Sequence, residues 1–295
     1  MEPRIIGSGT DEHLADPFGS AGLRRRVLAA WAASPARFRE DANAEEELAL
    51  GGYRDRLVVE LAQNAADAAA RAGGGPGRLR LTLADGVLAA ANTGAPLDAA
   101  AVESLSTLRA SSKRSDEQPT VGRFGVGFAA VLAVTDEPAV LGAAGGVRWS
   151  LGEARALTEA QPALAEELRR RDGHVPLLRL PFAAEGPAPE GYDTVVVLPL
   201  RDAAAEDLTR RLLAGIDDAL LLTLPGLGEV VVETPDGVRT LTRSATGPRA
   251  DDAPGLRPEG APVEVTVTDD AGGQLRRTVW QTAGASGGLD AGLLA

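Results

Sequence analysis

Glu60, Asn64 and Asp67 follow an i, i+4, i+7 pattern, which on a helix of about 3.6 residues per turn lines an acid, an amide and a second acid along one side. Leu57, Leu61, Ala65 and Ala68 make the adjoining apolar stripe. A polar triad beside a packing stripe suits a helix that floors a pocket, although a partly solvated amphipathic helix has the same pattern. Further along, Gly122, Gly125 and Gly127 are spaced G-x-x-G-x-G within Gly122-Arg123-Phe124-Gly125-Val126-Gly127-Phe128 and lead into an apolar, helix-compatible run to Val134. Glycines let a backbone approach a ligand closely, and a helix start exposes unpaired N–H groups, so this arrangement suits an anion, above all phosphate. It is neither a Walker A loop, which needs Gly-Lys-Ser/Thr, nor the dinucleotide order G-x-G-x-x-G. In isolation it also reads as a structural turn.

Other elements must position these groups. Leu79 to Leu83 alternates, Asp85-Gly86 signals a turn and Val87 to Ala91 is apolar, which predicts a β-hairpin that delivers Asn92-Thr93-Gly94 at a strand end. Strand ends are where ligand contacts collect, though Asn-Thr-Gly alone is an ordinary turn. Helices are predicted near 22–34 and 53–72, a lid over 98–121, and a helix running on from the glycine loop to 134. A strand at 139–142, a Gly145-Gly146 turn into 147–151, a helix over 154–171 and a Pro/Gly/Ala loop from Pro181 to Pro189 follow. Beyond them come a strand over 191–200, a helix over 203–221 and a strand at 229–233. After the Pro/Gly-rich stretch 247–262, strands at 263–268 and 274–281 flank an Asp-Ala-Gly-Gly turn. The chain divides into a loosely held arm (1–21), a main domain (22–235) and a β-hairpin extension (236–295), whose tail is expected to lead into a further region.

Taken in this order, the helix, the hairpin end and the glycine loop resemble the N, G1 and G2 boxes of the GHKL ATPases, which share the Bergerat ATP-binding fold. The wording is most similar to the ninety-kilodalton heat-shock chaperones and the sacsin N-terminal ATP-binding-like domains, where E-L-x-x-N-A-x-D-A and G-x-F-G-V-G-F are typical. Gly191-Tyr192-Asp193-Thr194-Val195-Val196 resembles the family's later G-x-x-T-x-V strand, so the likeness covers residues 22 to 235. It implies a two-layer α/β sandwich whose mixed sheet is covered by helices on one face, with ATP and Mg²⁺ as cofactors. It implies that Glu60 is the general base toward the water that attacks the γ-phosphate, that Asn64 is a magnesium ligand, and that Asp67 supports the pocket. Gly122, Phe124, Gly125, Val126, Gly127 and Phe128 would build the phosphate end, Asn92 and Gly94 the base-reading turn, and Thr194 would face the nucleotide. Lys113, the one lysine among 30 Lys and Arg residues, resembles a lid element that reaches the phosphates.

Two departures bear on what is bound. The family reads adenine with an Asp in D-x-G-x-G, whereas Asn92 replaces that Asp and Pro96 the second glycine. A neutral acceptor is weaker by on the order of 1 kcal/mol, and an amide can also satisfy the carbonyl of guanine, so base selectivity stays open. The expected function is slow, magnesium-dependent ATP hydrolysis by a chaperone-like or sacsin-like N-terminal domain. A signalling module that binds nucleotide without turnover, and a MutL- or MORC-like DNA-linked ATPase, remain as alternatives. Expected partners are ATP and ADP, client proteins, and a second copy in the full-length protein. A net charge of −12 argues against a nucleic-acid partner. His13 and His174, the only histidines, are unclustered and suggest neither a metal site nor a phosphoacceptor. No cysteine, no apolar run of about eighteen residues and no signal-peptide pattern after Met1 together point to the cytoplasm and away from membranes. With 44% hydrophobic but 3% aromatic residues, the core must be built of Leu, Val and Ala.

Overall fold

The structure is a computed structural model and describes residues 15–51, 54–107, 127–245 and 263–280. Asp16 accepts hydrogen bonds from the backbone N–H groups of Ser20 (2.8 Å) and Ala21 (2.9 Å), which starts α1 (Ser20–Ala33). Phe18 is buried in the core, so the last residues of the expected arm are anchored, not loose. α2 (Pro35–Leu50) has no counterpart in the sequence reading. Ser34 closes one helix and Pro35, at a position where a missing N–H is harmless, opens the next. After a 3₁₀ turn at 54–56, α3 (Leu57–Ala72) buries Leu57, Leu61, Ala65 and Ala68 and stops at Gly73, whose φ of 69° is left-handed.

The sheet begins with β1 (Gly77–Ala84) and β2 (Val87–Asn92), joined through Asp85 and Gly86, both at positive φ as a tight hairpin turn requires. α4 (Ala99–Thr107) follows, then β3 (Ala139–Gly142), β4 (Gly145–Arg148), α5 (Leu151–Glu159), α6 (Ala165–Arg170), β5 (Phe182–Ala184) and β6 (Thr194–Pro199). The chain continues through α7 (Ala203–Ala214), α8 (Asp218–Thr223), β7 (Leu227–Thr234), β8 (Gly237–Ala245), β9 (Val263–Asp269) and β10 (Gln274–Trp280). These ten strands form one mixed sheet in the order β10-β9-β8-β7-β1-β2-β6-β3-β4-β5, in which β1 and β7 run parallel.

Alternation sorts the two faces. Leu79, Leu81, Leu83, Leu88, Ala90, Val196, Leu198, Val230 and Val232 share one core with Leu57, Leu61 and Ala65 of α3. On the opposite face Ala91, Ala139, Leu141, Val195 and Val197 form a smaller cluster under Ala188 and Tyr192, while Arg80 of β1 pairs with Glu233 of β7. The protein is therefore α/β, a mixed sheet layered with helices, as the sequence predicts.

Several expectations are corrected. The run after the glycine loop is a 3₁₀ helix, Gly127–Ala133, not an α-helix; seven residues bounded by Thr135 and Pro138 are too few to repay α nucleation. The first part of the expected lid is α4, whose Val102 and Leu105 are core residues. The helix predicted over 154–171 is two, broken at Gln161-Pro162, and the helix over 203–221 is also two, broken at Gly215. β5 lies inside the segment expected to be a loop. The boundary expected at 235/236 falls within the β7–β8 hairpin, whose Pro235-Asp236 turn keeps the later strands in the same sheet. Among the described residues no helix is long and apolar enough to cross a membrane.

Candidate functional site

α3 lies against the sheet with its polar side, Glu60, Asn64 and Asp67, beside the buried stripe. Glu60 is only 9% exposed. Its Oε1 accepts a 3.1 Å hydrogen bond from Nε of Arg56. Its Oε2 faces Gly127 so closely that a Cβ at 127 would lie 2.0 Å away. The end of the glycine-rich segment thus rests on the carboxylate, and Phe128 behind it is buried with its ring 5.4 Å from that of Trp149. Asn64 and Asp67 are half-buried. Oδ2 of Asp67 is enclosed and has no hydrogen-bond partner among the described residues. Burial raises the Asp67 pKa, against the opposing pull of Arg71 one turn on.

The hairpin end docks against the other half of the same helix. Gly94 has φ 141°, and a Cβ there would come within 2.4 Å of the backbone of Ala68. Ala95 donates its N–H to the Ala68 carbonyl at 2.8 Å, and Gly94 donates its own to Oδ2 of Asp193, also at 2.8 Å. Asn92 is the last residue of β2, buried on the helix side of the sheet and directly opposite Thr194 in β6. Its Nδ2 donates to the Thr93 carbonyl at 3.3 Å, so the side-chain oxygen and the second N–H are what it can present to a ligand.

The structure therefore brings two groups of predicted residues to one helix: Gly127 and Phe128 at the Glu60 end, and Asn92, Gly94 and Thr194 at the Ala68 end. Ala68 is eight positions along the α-helix from Glu60, on the order of 12 Å. Lys113, Gly122, Phe124, Gly125 and Val126, like His13, lie outside the described residues. The sequence reading missed Arg56 and Asp193. An arginine where helix starts favour Ser, Thr, Asp or Asn was the available signal for the first. For the second, it was an acid immediately before Thr194.

A cavity of about 710 Å³ lies elsewhere, between α1, α2 and the end of α4, with Trp31, Arg37, Asp41, Ser106 and Arg179 in its wall. Its buried charges are engaged with one another: Asp41 accepts from Arg179 at 3.1 Å and from Nε1 of Trp31 at 2.8 Å. It contains none of the α3 residues. Comparison with protein-family models finds no match to the chain, and comparison with curated proteins finds none either.

Proposed function

We propose that the protein binds ATP with magnesium along α3 and hydrolyses it slowly, as the nucleotide-operated domain of a GHKL-like, chaperone-like protein. One observation carries the reading. Two segments far apart in sequence, the hairpin end and the last residues of the glycine loop, meet the helix that carries the third motif, with Glu60 held against Gly127 and the Asn92–Gly94 turn held against Ala68. The base would lie against the helix-side face of the Asn92–Thr194 pair, and the phosphates toward Glu60. Among the described residues no three His, Cys, Asp or Glu side chains converge to hold a cation by themselves. A single amide oxygen from Asn64 suits an ion whose remaining ligands are phosphate oxygens and water, as magnesium prefers. Magnesium, when bound, supplies charge neutralisation at the phosphates.

Glu60 would orient the attacking water and take its proton. The water oxygen bonds to the γ-phosphorus, the bond from that phosphorus to the bridging oxygen breaks, and ADP leaves with the electron pair. Client proteins and a second copy are the partners that the resemblance proposes.

Calorimetric titration of Mg·ATP, Mg·GTP and Mg·ADP, together with phosphate release, tests this. Glu60→Ala is expected to lower turnover roughly 10²-fold or more while leaving affinity within a few-fold, because a general base acts on the transition state. Asn64→Ala should weaken Mg·ATP binding and its magnesium dependence. A protein that binds none of these nucleotides overturns the proposal.

A further inference from the structure

The start of α3 departs from what helix starts favour. Its N-cap is Arg56, with helical backbone angles (φ −96°, ψ −1°) and no side-chain capping bond. A cation there faces the positive end of the helix dipole. The pair it makes with Glu60 runs Arg before Glu, the less favourable of the two i, i+4 orientations. With the Arg56 side chain 49% exposed, such a pair adds little to stability. Departures of this kind collect where geometry is kept for function.

What the arrangement does achieve is orientation. The Glu60 side chain is 12% exposed, its Oε1 is tied to Arg56, and its Oε2 occupies the space that a side chain at position 127 would take. Two constraints from different parts of the chain act on the two oxygens of one carboxylate.

We infer that Arg56 is a positioning residue for Glu60, holding the carboxylate in the setting from which it orients the attacking water, with Gly127 required to leave that setting open. The inference rests on reading Glu60 as the base. Preorganised groups act on the transition state and contribute little to ground-state binding. Loss of Arg56 should therefore appear in kcat and not in affinity.

The test compares wild type, R56Q, R56K, G127A, E60A and the R56Q/E60A double variant for steady-state ATP turnover, Mg·ATP affinity by calorimetry, and thermal midpoint. R56Q is expected to lower kcat about tenfold, the scale of one lost positioning contact, while affinity stays within about twofold and the midpoint is unchanged. R56K, which keeps the charge but loses the planar fork, should recover part of the loss. G127A should lower kcat as well. The double variant should be no slower than E60A, because a residue that acts through Glu60 has nothing to act on once it is gone. R56Q turnover equal to or above wild type overturns the inference, as does an R56Q loss that multiplies with that of E60A, even with ATP turnover intact in the wild type. Wild-type protein that binds ATP without releasing phosphate overturns the reading of Glu60 as base, and the role of Arg56 falls with it. These failures are distinguishable because the first two occur in a working ATPase.

Discussion

Asn92 is the residue at which the chain departs most sharply from the family it resembles, and its position makes the departure testable. It ends β2 on the helix side of the sheet, buried and opposite Thr194, two residues before Gly94, whose missing Cβ allows the close approach to Ala68. Asn92→Asp would replace a neutral acceptor by a charged one at that place. A charge-assisted hydrogen bond to the amino group of adenine is stronger by on the order of 1 kcal/mol, or about fivefold in affinity, and the carbonyl of guanine would gain nothing. The expected outcome is a rise in the ratio of ATP to GTP affinity, read by calorimetry, with a lower thermal midpoint in the nucleotide-free protein because a buried carboxylate lacks a partner. An unchanged ratio would remove Asn92 from base recognition. Gly94 and Asn92 were both legible in the sequence because a short hairpin and a turn-forming tripeptide are local signals. Asp193, which holds the Gly94 N–H from the bend just before β6, ninety-nine residues away, was not, since nothing local marks a side chain whose partner is brought by sheet pairing.

At the scale of elements, what was legible follows the range of the interactions that decide each one. α3 and the β1–β2 hairpin carry their own periodicity and turn chemistry, and both are where the sequence places them. The split of 203–221 at Gly215 and the 3₁₀ form of 127–133 depend on what the flanking segments pack against. The carbonyls of Leu132 and Thr135 accept hydrogen bonds from Arg201, a residue beyond β6. β10 is a further case. It forms an edge of the sheet, with Leu275 62% exposed, and its alternation alone says nothing of what holds it. Asp218, buried at the start of α8, accepts from the guanidinium of Arg276 and from Nε1 of Trp280 at 3.1 Å, which ties the strand to the helix layer. Asp218→Ala should cost about 2 kcal/mol, the scale of losing charge-assisted bonds to a buried acceptor. Amide exchange should accelerate across β9 and β10 and stay slow in β1 and β2. Exchange that rises evenly through the sheet, or not at all, would show that the clasp is not what secures this edge.

The whole molecule is set by a sheet that runs without interruption from β5 to β10, so the pH dependence of its stability gathers contributions from groups far from α3. Glu45 contributes on the acid side of neutrality. It is buried on α2, and its two oxygens accept the N–H groups of Leu177 (2.5 Å) and Leu178 (3.0 Å), which joins α2 to the segment before β5. Burial pushes its pKa up to about 7, with Asp41 adding to the rise, while the two N–H bonds and Arg179 pull it down without offsetting the burial. A folded pKa above the unfolded one means that the contribution is fully present below about pH 4.5 and is lost as pH rises through about 7, on the order of 3 kcal/mol over that window. Asp16 acts in the opposite sense. Burial raises its pKa, but its bonds from Ala21 and Ser20 outweigh this and lower it overall, so its contribution disappears only as pH falls below the usual carboxylate range. Glu45→Gln separates the two. A glutamine can accept at only one of its two terminal atoms, so the variant loses one of the N–H bonds at every pH but no longer titrates. Denaturant unfolding of both proteins from pH 5 to pH 8 should show the variant well below wild type at pH 5 and the gap closing toward pH 8, because the wild-type carboxyl ionises in the unfolded chain while the fold still holds it protonated, until it ionises in the fold as well near pH 7. A gap that stays constant over that range would mean that Glu45 is already ionised at pH 5, and that the buried junction between α2 and the sheet is held by a carboxylate.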